Sequence, residues 1–162
     1  MSGNATDKAA AAGRSLAEVH GEVDRWFFEE YLTRWVQAAA ADQDPRGVLS
    51  YWGVPMHAAS VYGARWLTSD DDVLGLLEAN HKPLRAAGYT HTQVLDRNVT
   101  VYNLAAAGVD VIWSRRREDQ SEIERLAVHF EIRRTASSWI VISLASSRTT
   151  RERLADVWFN VD

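Results

Sequence analysis

The chain has 162 residues, of which 46% are hydrophobic, and its formal net charge is −4. That length fits one domain with its own hydrophobic core, and the acidic balance argues against nucleic acid as a partner, because nucleic-acid binding needs a strongly basic surface. The absence of cysteine excludes a disulfide framework, a thiolate nucleophile and a cysteine metal site.

The N-terminal part predicts a tail followed by a long helix. Residues 1–15 are small or charged and show no periodicity, which is typical of a disordered tail. From residue 16 to about residue 41, Val23, Phe27, Tyr31 and Trp35 recur every four residues. This spacing predicts an amphipathic helix with a broad aromatic face, and such a face needs a large apolar partner such as a sheet.

The middle of the chain predicts a short helix, a hairpin and a further helix. Asp44-Pro45 is typical of a helix N-cap and first turn, and residues 56–67 suit a short hairpin. Ser69 is followed by three aspartates, which favour the positive end of a helix dipole. Gly88 is a natural stop for that helix, and Pro83 is expected to kink it or divide its last turn.

The second half predicts an antiparallel meander, because the turns between its strand-like segments are short. The strands are expected at residues 90–104, 108–117, 124–135 and 139–147. The fold class is therefore α+β, with a long curved antiparallel sheet wrapped by the aromatic N-terminal helix and two further helices. We place the domain at 16–147. The segment 148–162 is apolar enough to pack on its own domain, to cross to a partner subunit or to cover a pocket.

A homodimer is expected from the strands of the second half. Val128, Phe130 and Ile132 alternate along one strand, and Ile140 and Ile142 along the next. These apolar positions are too numerous to be covered on one side of a sheet, so we expect its outer face to pack on a second copy.

The order of elements resembles that of the nuclear-transport-factor-2-like superfamily, which includes ketosteroid isomerase and the SnoaL-like polyketide cyclases. The resemblance covers residues 18–147 and rests on the aromatic first helix, the Asp44-Pro45 start, the entry Tyr51–Pro55 to the first strand and the final hairpin ending in Trp139–Ile142. It points to an uncharacterised branch. It implies a cone-shaped fold around a pocket for a small, largely apolar molecule, but no particular reaction, because members of the superfamily do unrelated things.

The comparison with ketosteroid isomerase matches one catalytic role of three. Tyr31 lies where that family has an oxyanion-donating tyrosine. Ala59 and Ser60 stand near the position of the family's aspartate base, and His129–Glu131 near its second oxyanion donor. The departure argues against steroid-type isomerisation.

The candidate catalytic residues are His129, Glu131, Tyr31 and His57. A histidine titrates near neutrality and suits general acid–base catalysis, and Glu131 shares the strand face of His129 and can orient it. The alternative is a hydrogen-bonded or exposed strand histidine next to a solvent-facing charge pattern, which contributes little. His57 lies near the first strand, facing either the pocket or its rim.

The candidate substrate-binding residues are Trp35, Trp52, Trp113, Arg115 and Asp96. Trp113 and Arg115 share a strand face, so the arginine can bind a carboxylate or phosphate beside an apolar wall. The alternative for Arg115 is a solvated strand end, and for Trp35 a place in the core. Asp96 and Arg115 are residue types that a resemblance to limonene epoxide hydrolase would require.

No cofactor or metal is predicted. The histidines are widely spaced, and neither a glycine-rich phosphate loop nor a Gly-x-Ser-x-Gly elbow occurs. No signal-peptide pattern is visible, and no apolar run approaches the roughly 20 residues of a membrane helix. We therefore expect a cytoplasmic protein without a membrane partner.

Two functions stay open. One is a cofactor-independent enzyme that isomerises, cyclises, dehydrates or opens an epoxide in a small apolar metabolite. The other is a non-catalytic domain that binds a ligand or a protein partner.

Overall fold

The computed structural model describes residues 13–40 and 44–159. A tail was predicted over residues 1–15, and its first twelve residues lie outside the described part of the chain. Ser15 already belongs to the first helix as its N-cap, where its hydroxyl accepts a hydrogen bond from the Glu18 amide and the Glu18 carboxylate accepts one from the Ser15 amide. This reciprocal capping box fixes the start of the helix.

The aromatic helix runs in three segments: α1 (Leu16–Arg25), a π-helical turn (Trp26–Tyr31) and α2 (Leu32–Ala40). The four-residue spacing of its apolar side chains explains the π turn. Four residues overshoot one α-helical turn of 3.6 residues by about 40°, so the stripe would rotate away from its partner within a few repeats. The wider turn takes up this drift, and Val23, Phe27, Tyr31 and Trp35 all remain buried.

A short 3-10 helix (Pro45–Ser50) leads into the first hairpin, and the Asp44 carboxylate accepts a hydrogen bond from the Arg46 amide at its start. The hairpin consists of β1 (Trp52–Ser60) and β2 (Gly63–Leu67). Gly63 has a φ of 133°, which only glycine adopts without strain. The strand begins earlier than residue 56, the start expected from the sequence.

The helix after the hairpin is α3 (Asp70–Ala86), capped by Ser69 and its partner Asp72. Pro83 lies inside it without ending it, and the Pro83 carbonyl still accepts a hydrogen bond from the Ala87 amide. One side of the helix faces the core, and its buried residues are Val73, Leu77, His81 and Leu84.

The strands β3 (Tyr89–Asn103), β4 (Ala106–Arg117), β5 (Glu122–Arg134) and β6 (Trp139–Arg148) form the predicted antiparallel meander. The six-stranded sheet has the order β2-β1-β6-β5-β4-β3, with β1 parallel to β6. The α+β class expected from the sequence is confirmed, since the helices and this sheet form the fold together.

The sheet has an inner face that packs on the aromatic helix and an outer face that does not. Val128, Phe130 and Ile132 all lie in the inner core, whereas His129 and Glu131, which alternate with them, point to the outer face. These three residues form one set, which the helices cover. Ile142 of β6 lies on the outer face, in a groove with Glu131. The homodimer stays a prediction.

Up to residue 159, the C-terminal segment lies on the outer face of the chain's own sheet. A turn of 3-10 helix (Leu154–Asp156) packs Leu154 against Ile112 and Ala127, and the Leu154 amide donates a hydrogen bond of 2.8 Å to the Asp96 carboxylate. Within the described ranges, no helix has the length and hydropathy required to cross a membrane.

Candidate functional site

A cavity of about 490 Å³ opens between the β1–β2 hairpin, α3 and the inner face of β4, β5 and β6. Its walls are largely apolar and include Trp52, Leu76, Leu126 and Leu144. The volume lies in the range of about 300–1,000 Å³ that is typical of sites for small molecules. The hairpin forms the rim, so the cavity is open to solvent on one side.

Arg115 lies in this cavity and is buried, with 8% of its surface exposed. Its Nη1 donates a hydrogen bond of 2.6 Å to the Glu124 carboxylate on the neighbouring strand, and its guanidinium lies 4.4 Å from the centre of the Trp35 ring. The Nε of Arg115 is buried and has no hydrogen-bond partner among the described residues. The guanidinium therefore has one N–H donor, at Nε, for which the described residues supply no acceptor.

Glu124 is shared between two arginines. Its second oxygen is 3.0 Å from an Nη of Arg148, whose side chain is mostly exposed at the rim. Both Glu124 and Arg148 line the cavity. A single carboxylate thus faces two guanidinium groups, which leaves this wall of the cavity positive.

Trp52 connects the cavity to the aromatic core. Its ring N–H donates a hydrogen bond of 3.0 Å to the Tyr31 hydroxyl. Tyr31 itself is buried between Phe27 and Phe130, and burial raises its pKa far above the ordinary value for tyrosine. The Tyr31 phenol therefore stays neutral, behind the cavity wall that Trp52 forms.

His81 is a buried residue of α3 that sequence reasoning missed. Its ring meets Trp35 edge-on at 4.8 Å, and neither ring nitrogen has a hydrogen-bond partner among the described residues. Burial, together with the charges of Arg85 and Arg115, lowers the pKa of His81 to about 4. The ring is therefore a neutral imidazole near neutral pH. Its spacing from Leu77 and Leu84 in the helix was the signal that places it in the core.

A second polar cluster lies on the outer face. His129 contacts Asp110 through Nδ1 at 2.8 Å and Glu131 through Nε2 at 2.7 Å, and the Tyr102 hydroxyl donates a hydrogen bond of 3.2 Å to Glu131. The hydrogen bond to Asp110, reinforced by Glu131 and opposed by burial, raises the pKa of His129 to about 9. This histidine is an imidazolium near neutral pH, with both nitrogens engaged.

Gly108 makes room for this cluster. A Cβ at this position would collide with the Tyr102 hydroxyl and lie 3.2 Å from Cε1 of His129. The glycine therefore allows the tyrosine to cross the strand towards Glu131.

His57 and Asp96 also lie on the outer face. The His57 ring packs 5.0 Å from the ring of Trp66, and both residues line a shallow groove with Glu131. Asp96 holds the C-terminal segment through the Leu154 amide. Neither residue reaches the inner cavity.

The sheet thus separates the residues predicted for the site into two groups. The inner group comprises Tyr31, Trp35, Trp52, Trp113 and Arg115, and of these Trp52 and Arg115 line the cavity. The outer group comprises His57, Asp96, His129 and Glu131. The predicted pair of His129 and Glu131 does come together, but away from the cavity and from Tyr31. Catalytic roles for these residues stay predictions.

Glu124 and Arg148 were also missed from the sequence. The strand register indicates the position of Glu124, because Glu124 pairs with Arg115 and precedes the inward-facing Leu126 by two residues.

In the described part of the chain, no group of three or more histidine, aspartate or glutamate side chains has an arrangement that could hold a metal ion.

The curved sheet, the helices on its inner face and the cavity between them define a domain of the NTF2-like class. The family described as NTF2-like protein (DUF6841) matches residues 21–149, and the chain belongs to that family. A comparison with curated protein sequences finds no match.

Solved structures support the same fold. An NTF2-like protein of Novosphingobium aromaticivorans is 18% identical, with a TM-score of 0.62 over 98% of this chain and 100% of its own. A protein of unknown function from Nostoc punctiforme is 13% identical, with a TM-score of 0.61 over 79% and 92%. The yeast UBP3-associated protein BRE5 is 8% identical, with a TM-score of 0.62 over 86% and 100%. At these identities the likeness concerns the fold alone.

Proposed function

We propose that this protein binds a small, largely apolar molecule in the inner cavity. The observation that carries the proposal is the cavity itself, which has a volume of about 490 Å³, largely apolar walls and polar side chains among its lining residues. Sites that recognise small molecules combine these features, since the walls supply affinity and the polar groups fix orientation.

Binding is favoured over acid–base catalysis by the predicted pair of His129 and Glu131, because that pair lies on the outer face of the sheet. The histidine with adjacent carboxylates, His129, is on the outer face and already engaged on both nitrogens. A general base must come within hydrogen-bond reach of the proton it removes, and His129 cannot do so for a molecule in the inner cavity.

A neutral fluorescent probe tests the proposal. N-phenylnaphthylamine is apolar and uncharged, and we expect saturable binding with increased emission. Ser146→Trp places an indole in the cavity, where Ser146 is part of the lining, and should weaken binding about tenfold or more. Ser143→Trp is the matched control, because Ser143 lies on the same strand but lines the outer groove.

Equal affinity in both variants, or no saturable binding by the wild-type protein, would refute the proposal. Leu144→Trp provides a second obstruction of the same cavity in case Ser146→Trp does not fold. Thermal unfolding of each variant, followed by circular dichroism, shows whether it retains the native structure.

A further inference from the structure

The lining of the inner cavity is positive although the chain as a whole is acidic. Within the described part of the chain, its charged side chains are three arginines, Arg65, Arg115 and Arg148, and one carboxylate, that of Glu124. The net charge of the whole protein is −4. The excess of positive charge is therefore a local property of this cavity, and a concave site of one sign concentrates ligands of the opposite sign.

Arg115 is the member of this set that is removed from water. A guanidinium that is 8% exposed has lost most of its hydration, which is costly unless counter-charges and hydrogen-bond acceptors replace the water. Glu124 supplies one such contact, at 2.6 Å, and the face of Trp35 supplies a second, weaker one. The Nε donor has no acceptor among the described residues.

Glu124 neutralises these arginines only in part. It also contacts Arg148 at 3.0 Å, so one negative charge is divided between two positive ones. A second acidic group entering the cavity would balance the remaining charge. It could accept hydrogen bonds from guanidinium N–H groups, which match the geometry of carboxylate, sulfonate and phosphate oxygens.

We propose that the ligand of this cavity is a small amphipathic organic anion, with its acidic group at Arg115 and Arg148 and its apolar body against Trp52, Leu126 and Leu144. This inference rests on the proposed function, since it names the chemical class of the molecule that occupies the same cavity. The arginines select the anion, and the apolar walls exclude small inorganic anions from tight binding, because these offer no surface to bury.

Two matched probes separate this inference from the proposed function. Anilinonaphthalene sulfonate shares the aromatic body of N-phenylnaphthylamine and adds one sulfonate group. We expect the wild-type protein to bind the sulfonate about tenfold more tightly than the neutral probe, because a charge-assisted hydrogen bond in a partly dry site contributes that much.

Arg115→Met should remove this preference, so that the ratio of the two probe affinities falls to about one. Arg148→Met, at an exposed rim position, should reduce the preference by a smaller factor and provides a test if Arg115→Met does not fold. Arg133→Met is the matched control, because it removes the same charge from the outer groove and should leave both affinities unchanged.

Equal binding of the two probes by the wild-type protein, with both blocked by Ser146→Trp, would overturn the anion inference and leave the cavity as a binding site. A sulfonate preference that persists in both Arg115→Met and Arg148→Met, or that disappears in Arg133→Met, would also overturn it. Failure of both probes to respond to Ser146→Trp would refute the proposed function itself.

Discussion

Replacing His129 by glutamine removes a side chain that joins two carboxylates on the outer face. The ring nitrogens lie 2.8 Å from Asp110 and 2.7 Å from Glu131, and these contacts raise the pKa of His129 to about 9. Because the imidazolium is more stable in the folded protein than in the unfolded chain, protonation of His129 is linked to folding.

The sign and size of this linkage follow from the two pKa values. In the unfolded chain the pKa is near 6.5, so the stabilisation is complete below that pH and is lost as the pH rises through about 9. A difference of this size would give about 3 kcal/mol for a fully buried group. The side chain of His129 is 34% exposed, and solvent screening reduces the expected contribution to about 1 kcal/mol.

Urea unfolding followed by tryptophan fluorescence measures this contribution. We expect the wild-type protein to be more stable than His129→Gln by about 1 kcal/mol near pH 6, and this difference should fall towards zero by about pH 9.5. Tyr102 does not interfere in this window, because burial and the Glu131 carboxylate raise its pKa above 10. His91→Gln is the control, since the partners of His91 are the uncharged Thr90 and Gln120. A difference that stays constant from pH 6 to pH 9.5 would refute the reasoning.

Three further substitutions test other parts of the structure. His81→Leu should raise the free energy of unfolding by about 1 kcal/mol, and with it the urea midpoint, because it replaces two buried nitrogens that have no hydrogen-bond partner among the described residues by an apolar group; a lower midpoint would contradict this. Gly108→Ala should displace the Tyr102 hydroxyl and destabilise the protein by about 1 kcal/mol, which the chemical shifts of Tyr102 and the urea midpoint report together. Asp96→Ala should speed hydrogen exchange at the Leu154 amide by about fivefold or more, and unchanged exchange would show that this hydrogen bond does not hold the C-terminal segment.

The sequence predicted the elements well where the signal is local. The four-residue spacing along the first helix, the Ser69 cap of α3 and the alternation in β5 all depend on neighbours within a few positions. The π turn was not predicted, although the spacing that requires it was visible. The parallel pairing of β1 with β6 was not predicted either, because it joins segments about 85 residues apart.

The site was harder to predict because it depends on which face of the sheet the cavity occupies. Alternation along β5 correctly separated His129 from Val128 and Phe130, but the aromatic helix covers the apolar face. The cavity therefore lies on the same side as the core, and His129 lies opposite. Arg115 was predicted as an anion-binding residue, and its partner Glu124 required the register between β4 and β5.

Among the described residues, the buried polar atoms without hydrogen-bond partners belong to three residues on the inner side of the sheet, of which one lines the cavity. These atoms are Arg115 Nε, Trp113 Nε1 and both nitrogens of His81, and Arg115 and His81 both contact the Trp35 ring. Such groups reduce stability, and apolar side chains of similar size would fit a purely structural core better. Natural proteins tolerate departures of this kind mainly where function requires them. The unpartnered Nε of Arg115, at the positive wall of the cavity, therefore favours the ligand-recognition role proposed for the inner face.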